Sequence, residues 1–347
     1  MQWYKKHSRQ GLPWRKTRNP YRIWISEAML QQTQVAQVIP YYERFLKKFP
    51  TVGALADAPV TDVLDAWAGL GYYSRAKNLR AAAQKIRSEH GGRLPDSVEN
   101  LMELPGIGRY TAGAIASIAY DRPAPILDGN VIRVLTRRFG IAEDPKKPES
   151  QKKLWKLASE LVLEETPGDS NQALMELGAL ICTPKRPACG RCPWNADCLA
   201  RQSGTQEQIP FKTTAAPRKK IIYLCGLLEK NGKILIARRP LEGLMPGLWE
   251  FPGGEMENPA EGEADRLERL LKQRLGIEAR ATERAGQVRQ ILSHREIDIR
   301  AYRCGFSGRI NVNIYSEIRW VRPQKLPTIG LTAGMLRLAK MSSSRRH

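Results

Sequence analysis

The sequence contains no long apolar run. Among its 347 residues, no uninterrupted apolar segment exceeds eight residues, whereas a helix that crosses a bilayer needs about 20. Residues 1–7 also lack the apolar segment and the small-residue cleavage site of a secretory signal. These absences exclude a protein of membrane-spanning helices. They predict a protein of the reducing cytoplasm that has no membrane partner.

Acidic residues are scarce relative to basic ones. The 35 Asp and Glu residues are outnumbered by 56 Lys and Arg residues, which leaves a net charge of +21 at pH 7. A charge of this size favours polyanionic partners and disfavours acidic ones. Nucleic acid is therefore the leading candidate partner, and a solvated basic surface or a ribosome-associated protein is the alternative.

Strand-like alternation is nearly absent before residue 180, where the sequence is typical of helices punctuated by proline and glycine. Residues 202–220 are poor in apolar side chains and resemble a linker. Beyond them we expect strands at 221–228 and 233–237, joined by an Asn231-Gly232 hairpin. A helix at about 260–275 and further strands near 284–292, 296–304 and 317–321 follow. At roughly 150 residues per domain, we predict an all-α domain over 1–201 and an α+β domain over 221–347.

Four of the six cysteines lie within 17 residues of one another, in the spacing C-x6-C-x2-C-x5-C. Clustered thiols in a reducing compartment favour a metal centre over disulfides. Tetrahedral zinc and a cubane iron–sulfur cluster both accept four thiolates. The usual zinc ribbon separates two C-x2-C pairs by some 15–20 residues, and this compact run fits that spacing poorly. The predicted ligands are Cys182, Cys189, Cys192 and Cys198.

A glycine-containing turn connects two predicted helices at residues 104–108, with the sequence LPGIG. Gly106 and Gly108 allow the backbone to approach a phosphate closely, and the next helix presents free N–H groups and its positive dipole end. This pattern predicts a helix-hairpin-helix phosphate clamp. An ordinary helix–helix turn is the alternative.

Two carboxylates are candidates for catalysis. Asn19-Pro20 is a helix-start signal, and we expect that helix to run from residue 21 to about residue 39. Glu27 lies in it among apolar neighbours, which raise a carboxyl pKa and suit a general acid. Asp128 precedes a predicted helix at 131–139 and, if held by backbone N–H groups, stays ionised. Together they form the pair that glycosidic-bond cleavage requires. The alternatives are a surface glutamate and a plain N-cap.

Several segments together resemble the MutY-type adenine DNA glycosylases of the helix-hairpin-helix iron–sulfur superfamily. The resemblance covers nearly the whole chain and includes the C-terminal α+β domain, which is similar to a Nudix fold. The segments are LPWR at 12–15, WISEAMLQQTQ at 24–34, GLGYYSRA at 69–76, LPGIG at 104–108, LDGN at 127–130 and the four-cysteine run.

The resemblance implies excision of adenine paired with 8-oxoguanine or guanine in double-stranded DNA, by a monomer associated with the nucleoid that carries one [4Fe-4S] cluster in the 182–198 loop. Glu27 would protonate adenine N7, and Asp128 would stabilise the oxocarbenium ion beside its polar neighbour Asn130. A flipped base must be replaced in the stack, and Gln32 is the expected wedge, with Tyr72 inserting beside the lesion. The adenine pocket would be lined by Trp14, Arg15 and Gln172. Without the resemblance, Trp14 and Tyr72 would be assigned to the core.

One position bears on the reaction class. Related bifunctional endonucleases of the endonuclease III type carry a lysine where this sequence has Tyr110, and that lysine attacks the sugar. Tyrosine cannot form a Schiff base. The resemblance therefore implies a monofunctional enzyme that leaves an abasic site.

The Nudix-like domain lacks the acidic residues of an active hydrolase. Leu270, Gln273 and Arg274 occupy the three glutamate positions that would hold Mg²⁺, and hard cations require oxygen ligands. The resemblance instead implies an 8-oxoguanine reader whose turn includes Ser293 and His294, for which a plain polar hairpin is the alternative. The rival functions are another glycosylase of the superfamily, a silent DNA-binding protein with a redox-sensing cluster, and a Nudix pyrophosphohydrolase.

Overall fold

A computed structural model describes residues 1–211, 217–243, 245–258, 260–292 and 294–344, the last with side chains up to residue 341. It divides into two compact units. The first comprises Met1–Asp57 and Asn78–Thr214, and the second comprises Ala58–Lys77 and Ala215–His347. The sequence predicted a division in one place only, at residues 202–220, and did not predict that residues 58–77 group with the C-terminal part.

The first unit is helical, as expected. Its described helices are α1 (Gln2–His7), α2 (Pro20–Leu30), α3 (Val35–Lys48), α4 (Val52–Asp57), most of α6 (Ser74–Glu89), α7 (Val98–Met102), α8 (Arg109–Tyr120), α9 (Gly129–Arg138), α10 (Pro148–Glu160), α11 (Pro167–Leu180) and α12 (Leu199–Gln202). Short 3-10 turns lie at Pro13–Lys16 and Cys189–Arg191. A core on α8, α9, α10 and α11, which includes Val131, Leu135 and Leu154, holds these helices together.

The helix predicted from residue 21 to about 39 is wrong in its second half. Asn19 caps α2 by accepting a hydrogen bond from the Arg22 N–H, but the helix ends at Leu30. Gln32 adopts a left-handed conformation, with φ of 58°, which an α-helix cannot include. A new helix, α3, then starts at Val35 and contains Pro40 rather than ending before it. The residues at 31–34, three of which carry amide side chains, therefore form a turn between α2 and α3.

The predicted hairpin lies between α7 and α8. Gly106 has φ of 77°, and a Cβ atom there would lie 2.6 Å from the Asn78 Cβ, so this position requires glycine. Gly108 caps α8, and a Cβ there would meet no described atom within 4 Å. The start of α8 is thus open at Gly108, which leaves room for the close approach of a phosphate.

The second unit is a mixed sheet flanked by helices. Its described strands are β1 (Lys219–Lys230), β2 (Lys233–Arg238), β3 (Trp249–Glu250), β4 (Gly253–Glu255), β5 (Glu278–Ile291), β6 (Arg295–Ser307) and β7 (Glu317–Val321). They follow the order β3-β2-β1-β6-β5, with β4 on β1 and β7 on β2. β1 and β6 are parallel, and the other pairs are antiparallel.

Helices cover both faces of this sheet. On one face α13 (Glu263–Leu275) packs Leu267 and Leu271 against β1. On the other, α14 (Ala333–Ser344) packs Met335 and Leu338 against β6. The hairpin between β1 and β2 turns at Asn231 and Gly232, both with positive φ, which confirms the predicted turn.

Residues 58–77 contribute α5 (Val60–Trp67), a loop at 68–73 and the start of α6 to the second unit. Among the described residues, no helix has both the length and the apolar content needed to cross a membrane.

Candidate active site

A cavity of about 580 Å³ opens into the first unit between α2, α8, α9 and α11. It brings together predicted residues that are far apart in the sequence. Those that line it are Trp14, Arg15, Glu27, Gln32, Gly108, Tyr110, Asp128, Asn130 and Gln172. Gly106 does not line the cavity and lies at the hairpin described above.

Glu27 lies in the wall of this cavity and is only 5% exposed. The Tyr110 hydroxyl donates a hydrogen bond of 2.5 Å to its Oε2 atom. Burial raises the pKa of Glu27 to about 7, and the nearby Asp128 charge acts in the same direction. The Tyr110 hydrogen bond and the Arg15 charge oppose this shift. Near neutral pH, the carboxyl can therefore hold a proton and give it up, as the apolar neighbours predict.

Asp128 is the N-cap of α9 and also faces the cavity. Its Oδ1 atom accepts a hydrogen bond from the Val131 N–H at 2.7 Å, and its Oδ2 atom accepts one from Asn130 Nδ2 at 2.9 Å. Burial raises the pKa of Asp128 above its ordinary value, although these hydrogen bonds and the Arg133 charge oppose the shift. The two interpretations of this aspartate, N-cap and cavity carboxylate, are thus compatible.

Arg133 was missed by the sequence analysis and connects the cavity to the cysteine loop. It donates to Asn130 Oδ1 at 2.8 Å, to the Gly178 carbonyl at 2.7 Å and to the Cys182 carbonyl at 2.6 Å. Asn130 in turn contacts Asp128. The only signal in the sequence is that Arg133 follows Asn130 by three positions in α9, on the same helix face.

Glu176 was also missed. Its side chain is 1% exposed and accepts hydrogen bonds from Arg9 Nε at 2.8 Å and from Arg15 Nη2 at 2.7 Å. Burial by itself would raise the pKa of Glu176, but the hydrogen bonds from both arginines outweigh it and hold that pKa at about 2. This charge fixes Arg15 at the cavity. Glu176 follows Gln172 by four positions in α11, which was the available signal.

The four clustered cysteines form no disulfide, and one of them, Cys182, lies beside a buried cation. The Arg137 guanidinium, 2% exposed, lies 3.4 Å from the Cys182 Sγ atom and also donates to the Thr183 carbonyl. Burial raises the pKa of Cys192, and the charges of the other three cysteines raise it further. An all-thiolate donor set next to a buried arginine suits an anionic iron–sulfur cluster.

Among the described residues, no group of three or more His, Cys, Asp or Glu side chains is placed to hold a metal ion.

A second groove, of about 1050 Å³, lies within the second unit. Tyr72, Leu292 and His294 all line it. Tyr72 is 44% exposed and has φ of 49°, in the left-handed region that side chains rarely adopt. His294 lies in the turn between β5 and β6, as predicted. Ser293, predicted beside it, lies outside the described residues.

The helix α13 carries the residues that replace the Nudix glutamates. Leu270 is buried against Gly254, and the Arg274 guanidinium lies 5.9 Å from the centre of the Tyr315 ring. Leu270 therefore contributes to the core of the second unit, whereas Gln273 is exposed, and none of the three positions supplies a carboxylate.

Three family models match the chain. They are described as a HhH-GPD superfamily base excision DNA repair protein over residues 25–160, the iron–sulfur binding domain of endonuclease III over residues 182–198, and a NUDIX domain over residues 223–341. The second match decides between zinc and iron–sulfur in favour of a [4Fe-4S] cluster on the four cysteines. The fold is therefore a helical helix-hairpin-helix glycosylase region with a cluster loop, followed by a Nudix-like region.

Relatives and one solved structure agree with this description. The chain is 36% identical to the adenine DNA glycosylase of Homo sapiens, covering 98% of this chain and 72% of that protein. It is 34% identical to the one of Rattus norvegicus, covering 100% and 77%. The one of Buchnera aphidicola (Acyrthosiphon pisum) is 43% identical, with 73% and 72% covered. A thermostable thymine-DNA glycosylase is 31% identical with a TM-score of 0.53, covering 58% of this chain and 92% of that one. The chain belongs to the adenine DNA glycosylase family.

Proposed function

We propose that this enzyme removes adenine paired with 8-oxoguanine or guanine from double-stranded DNA, without cutting the strand, as a step of base excision repair. The observation that carries the proposal is that Glu27 and Asp128 line the same cavity, with the Tyr110 hydroxyl hydrogen-bonded to Glu27. Both carboxylates come from one chain, which supports action as a monomer on chromosomal DNA.

The two carboxylates divide the chemistry between them. With its pKa near 7, Glu27 holds a proton often enough to donate it to N7 of the flipped adenine, which makes the base a better leaving group. Asp128 keeps an anionic oxygen at the place where positive charge develops on the sugar. Asn130 holds that oxygen through its amide. Tyr110 supplies no amine, so a water molecule adds to the sugar carbon in place of the departed adenine and loses a proton, and the reaction ends at an abasic site.

The remaining cavity residues bind the base. Trp14 offers an aromatic wall, while Arg15 and Gln172 offer hydrogen-bond donors and acceptors for the adenine edge. Gln32 projects from the left-handed turn between α2 and α3 and also lines the cavity. That position suits a wedge that fills the gap left by the extruded base.

Recognition of the opposite base is assigned to the second groove. Tyr72 supplies an exposed aromatic face and His294 a polar group, and both line this groove together with Leu292. The cations of the surface supply attraction to phosphates that is independent of sequence and sensitive to salt.

The proposal predicts a ranking of substrates. Single-turnover rates would be measured on duplexes with adenine opposite 8-oxoguanine, guanine, cytosine or thymine, with and without alkali. We expect the 8-oxoguanine duplex to react at least about fivefold faster than the cytosine duplex, since one good polar recognition contact is worth about 1–3 kcal/mol. Strand breaks should appear only after alkali. Breaks before alkali would contradict a monofunctional enzyme, and equal rates would contradict lesion reading.

We expect Tyr110→Phe to change the pH dependence of the single-turnover rate. The Tyr110 hydrogen bond lowers the pKa of Glu27, so its loss raises that pKa above about 7 and keeps the acid protonated at higher pH. A hydrogen bond worth about 1 kcal/mol corresponds to a shift of roughly 0.7 pH units. The midpoint at which the single-turnover rate falls with rising pH should therefore move upward by that amount. A midpoint that is unchanged or lower would contradict the assignment of Glu27 as the acid.

A further inference from the structure

The segment that carries Tyr72 is tied to the strands of the second unit by an ion pair. The Arg238 side chain on β2 is 6% exposed, and its Nη2 atom lies 2.9 Å from Oδ2 of Asp65 on α5. Arg238 also donates to the Gly247 carbonyl at 3.3 Å, and its guanidinium lies 4.6 Å from the centre of the buried Trp249 ring. One end of this ion pair is therefore fixed in the core of the sheet.

Close packing holds α5 at the same place. A Cβ atom on Gly330 would lie 2.5 Å from Asp65 Oδ1, and one on Gly247 would lie 2.6 Å from Leu64 Cδ1. The Lys77 ammonium donates to the Leu241 carbonyl at the other end of the segment. Helix α5 thus fits against positions where glycine alone leaves room for it.

Contacts continue from α5 to Tyr72. The Trp67 indole at the end of α5 donates to the Gly71 carbonyl at 3.1 Å. The Arg75 guanidinium lies 5.2 Å from the Trp67 ring centre and 5.5 Å from the Tyr72 ring centre, and it also donates to the Gly71 carbonyl at 3.1 Å. A left-handed tyrosine persists only where its surroundings fix it. Here those surroundings depend on where α5 lies.

Other residues that line the groove rest on the same core. Leu292 and Met245 pack against the apolar cluster that contains Trp249, and His294 follows Leu292 by two positions. Arg238 therefore contacts the residues that support both parts of the groove lining, since it stacks on Trp249 and pairs with Asp65.

We propose that the Arg238–Asp65 ion pair positions Tyr72 relative to His294, and so sets the preference for 8-oxoguanine over guanine opposite adenine. The inference rests on the proposed function of this groove. Neither Arg238 nor Asp65 lines the groove, so both are positioning residues that act through the segment holding Tyr72. Their effect should fall on the choice of opposite base and leave the chemistry at Glu27 unchanged.

The chain offers a matched pair of variants for the test. Arg238 also forms an ion pair with Glu317 on β7, at 3.4 Å. Asp65→Asn and Glu317→Gln each remove one carboxylate charge from the same guanidinium, but only Asp65 is on the segment with Tyr72. Single-turnover rates on the 8-oxoguanine and guanine duplexes give a preference ratio for each full-length protein. We expect Asp65→Asn to lower this ratio about fivefold or more, while Glu317→Gln keeps it within about twofold.

The ratio is insensitive to partial unfolding, because a smaller folded fraction lowers both rates equally. In a Tyr72→Ala background, Asp65→Asn should produce no further loss in the ratio, since the residue that it positions is gone. Three outcomes would overturn this inference without affecting the proposed function. They are an unchanged ratio for Asp65→Asn, an equal loss for Glu317→Gln, and a full additional loss in the Tyr72→Ala background. A wild-type enzyme without any preference would overturn the proposed lesion reading and this inference together.

Discussion

Glu27→Gln is expected to lower the single-turnover rate of adenine release at pH 7 by about 10²–10⁴, the usual contribution of a positioned general acid. Glutamine has the same shape, fills the same buried position and still accepts a hydrogen bond from Tyr110, but its amide does not donate a proton to the base. The measurement uses excess enzyme on the adenine–8-oxoguanine duplex, with alkali treatment after quenching. A rate equal to that of the parent would show that the acid lies elsewhere.

The stability of the same variant provides its control. Burial raises the pKa of Glu27 from 4.5 to about 7, so its contribution to stability is complete below pH 4.5 and lost as the pH rises through 7. The loss at high pH is about 3 kcal/mol, at 1.36 kcal/mol per pKa unit. Glutamine has no such loss. We therefore expect the melting temperature of Glu27→Gln, relative to that of the parent, to rise between pH 5 and pH 8.5. If the relative melting temperature of the variant instead falls over this range, its low rate would be attributed to unfolding.

Local signals predicted much of this fold because their causes are local. Asn231-Gly232 turns a hairpin since both residues accept positive φ. Asn19 caps α2 through a neighbour three positions away. Asp128, predicted as a cap or a catalytic anion, is the N-cap of α9 and also lines the cavity. In each case the deciding contact lies within a few residues of the signal.

The break between α2 and α3 shows where local reasoning failed. Pro40 was expected to end a helix, yet it lies inside α3, where a helix loses one hydrogen bond but continues. The true break is the left-handed Gln32, which no strong breaker residue marks. A glutamine in that conformation is locally unfavourable, so its position depends on the surrounding tertiary structure and on its place at the cavity.

Contacts between residues that are distant in the sequence were not predicted. Glu176 pairs with Arg15, 161 positions away, and a charge on a helix is ordinarily assigned to solvent. Arg133 links Asn130 to the Cys182 carbonyl across 49 positions. The grouping of residues 58–77 with the C-terminal strands depends likewise on Arg238 and on glycines that leave room for α5. Each is a product of packing, which spacing along the chain does not encode.

Asp128→Asn is expected to lower the rate of adenine release by about 10²–10³, the usual cost of removing one preorganised electrostatic group. Asparagine is as good an N-cap as aspartate, so its amide oxygen can still accept from the Val131 N–H. It carries no charge, however, and its amide nitrogen would face the donating Asn130 amide in place of an acceptor. The measurement is again the single-turnover rate on the 8-oxoguanine duplex, at a pH well below 7 where Glu27 is protonated in both proteins.

Comparing Asp128→Ala with Asp128→Asn separates the role of Asp128 as the N-cap of α9 from the role of its carboxylate charge. Alanine loses both, and the missing N-cap costs about 1 kcal/mol of stability. If the charge carries catalysis, the two variants should have nearly equal rates, while Asp128→Ala melts at a lower temperature than Asp128→Asn. Should the rate follow the melting temperature instead, with Asp128→Asn close to the parent, then Asp128 would serve α9 as a cap alone. The oxocarbenium ion would then have to be stabilised by another group in the cavity.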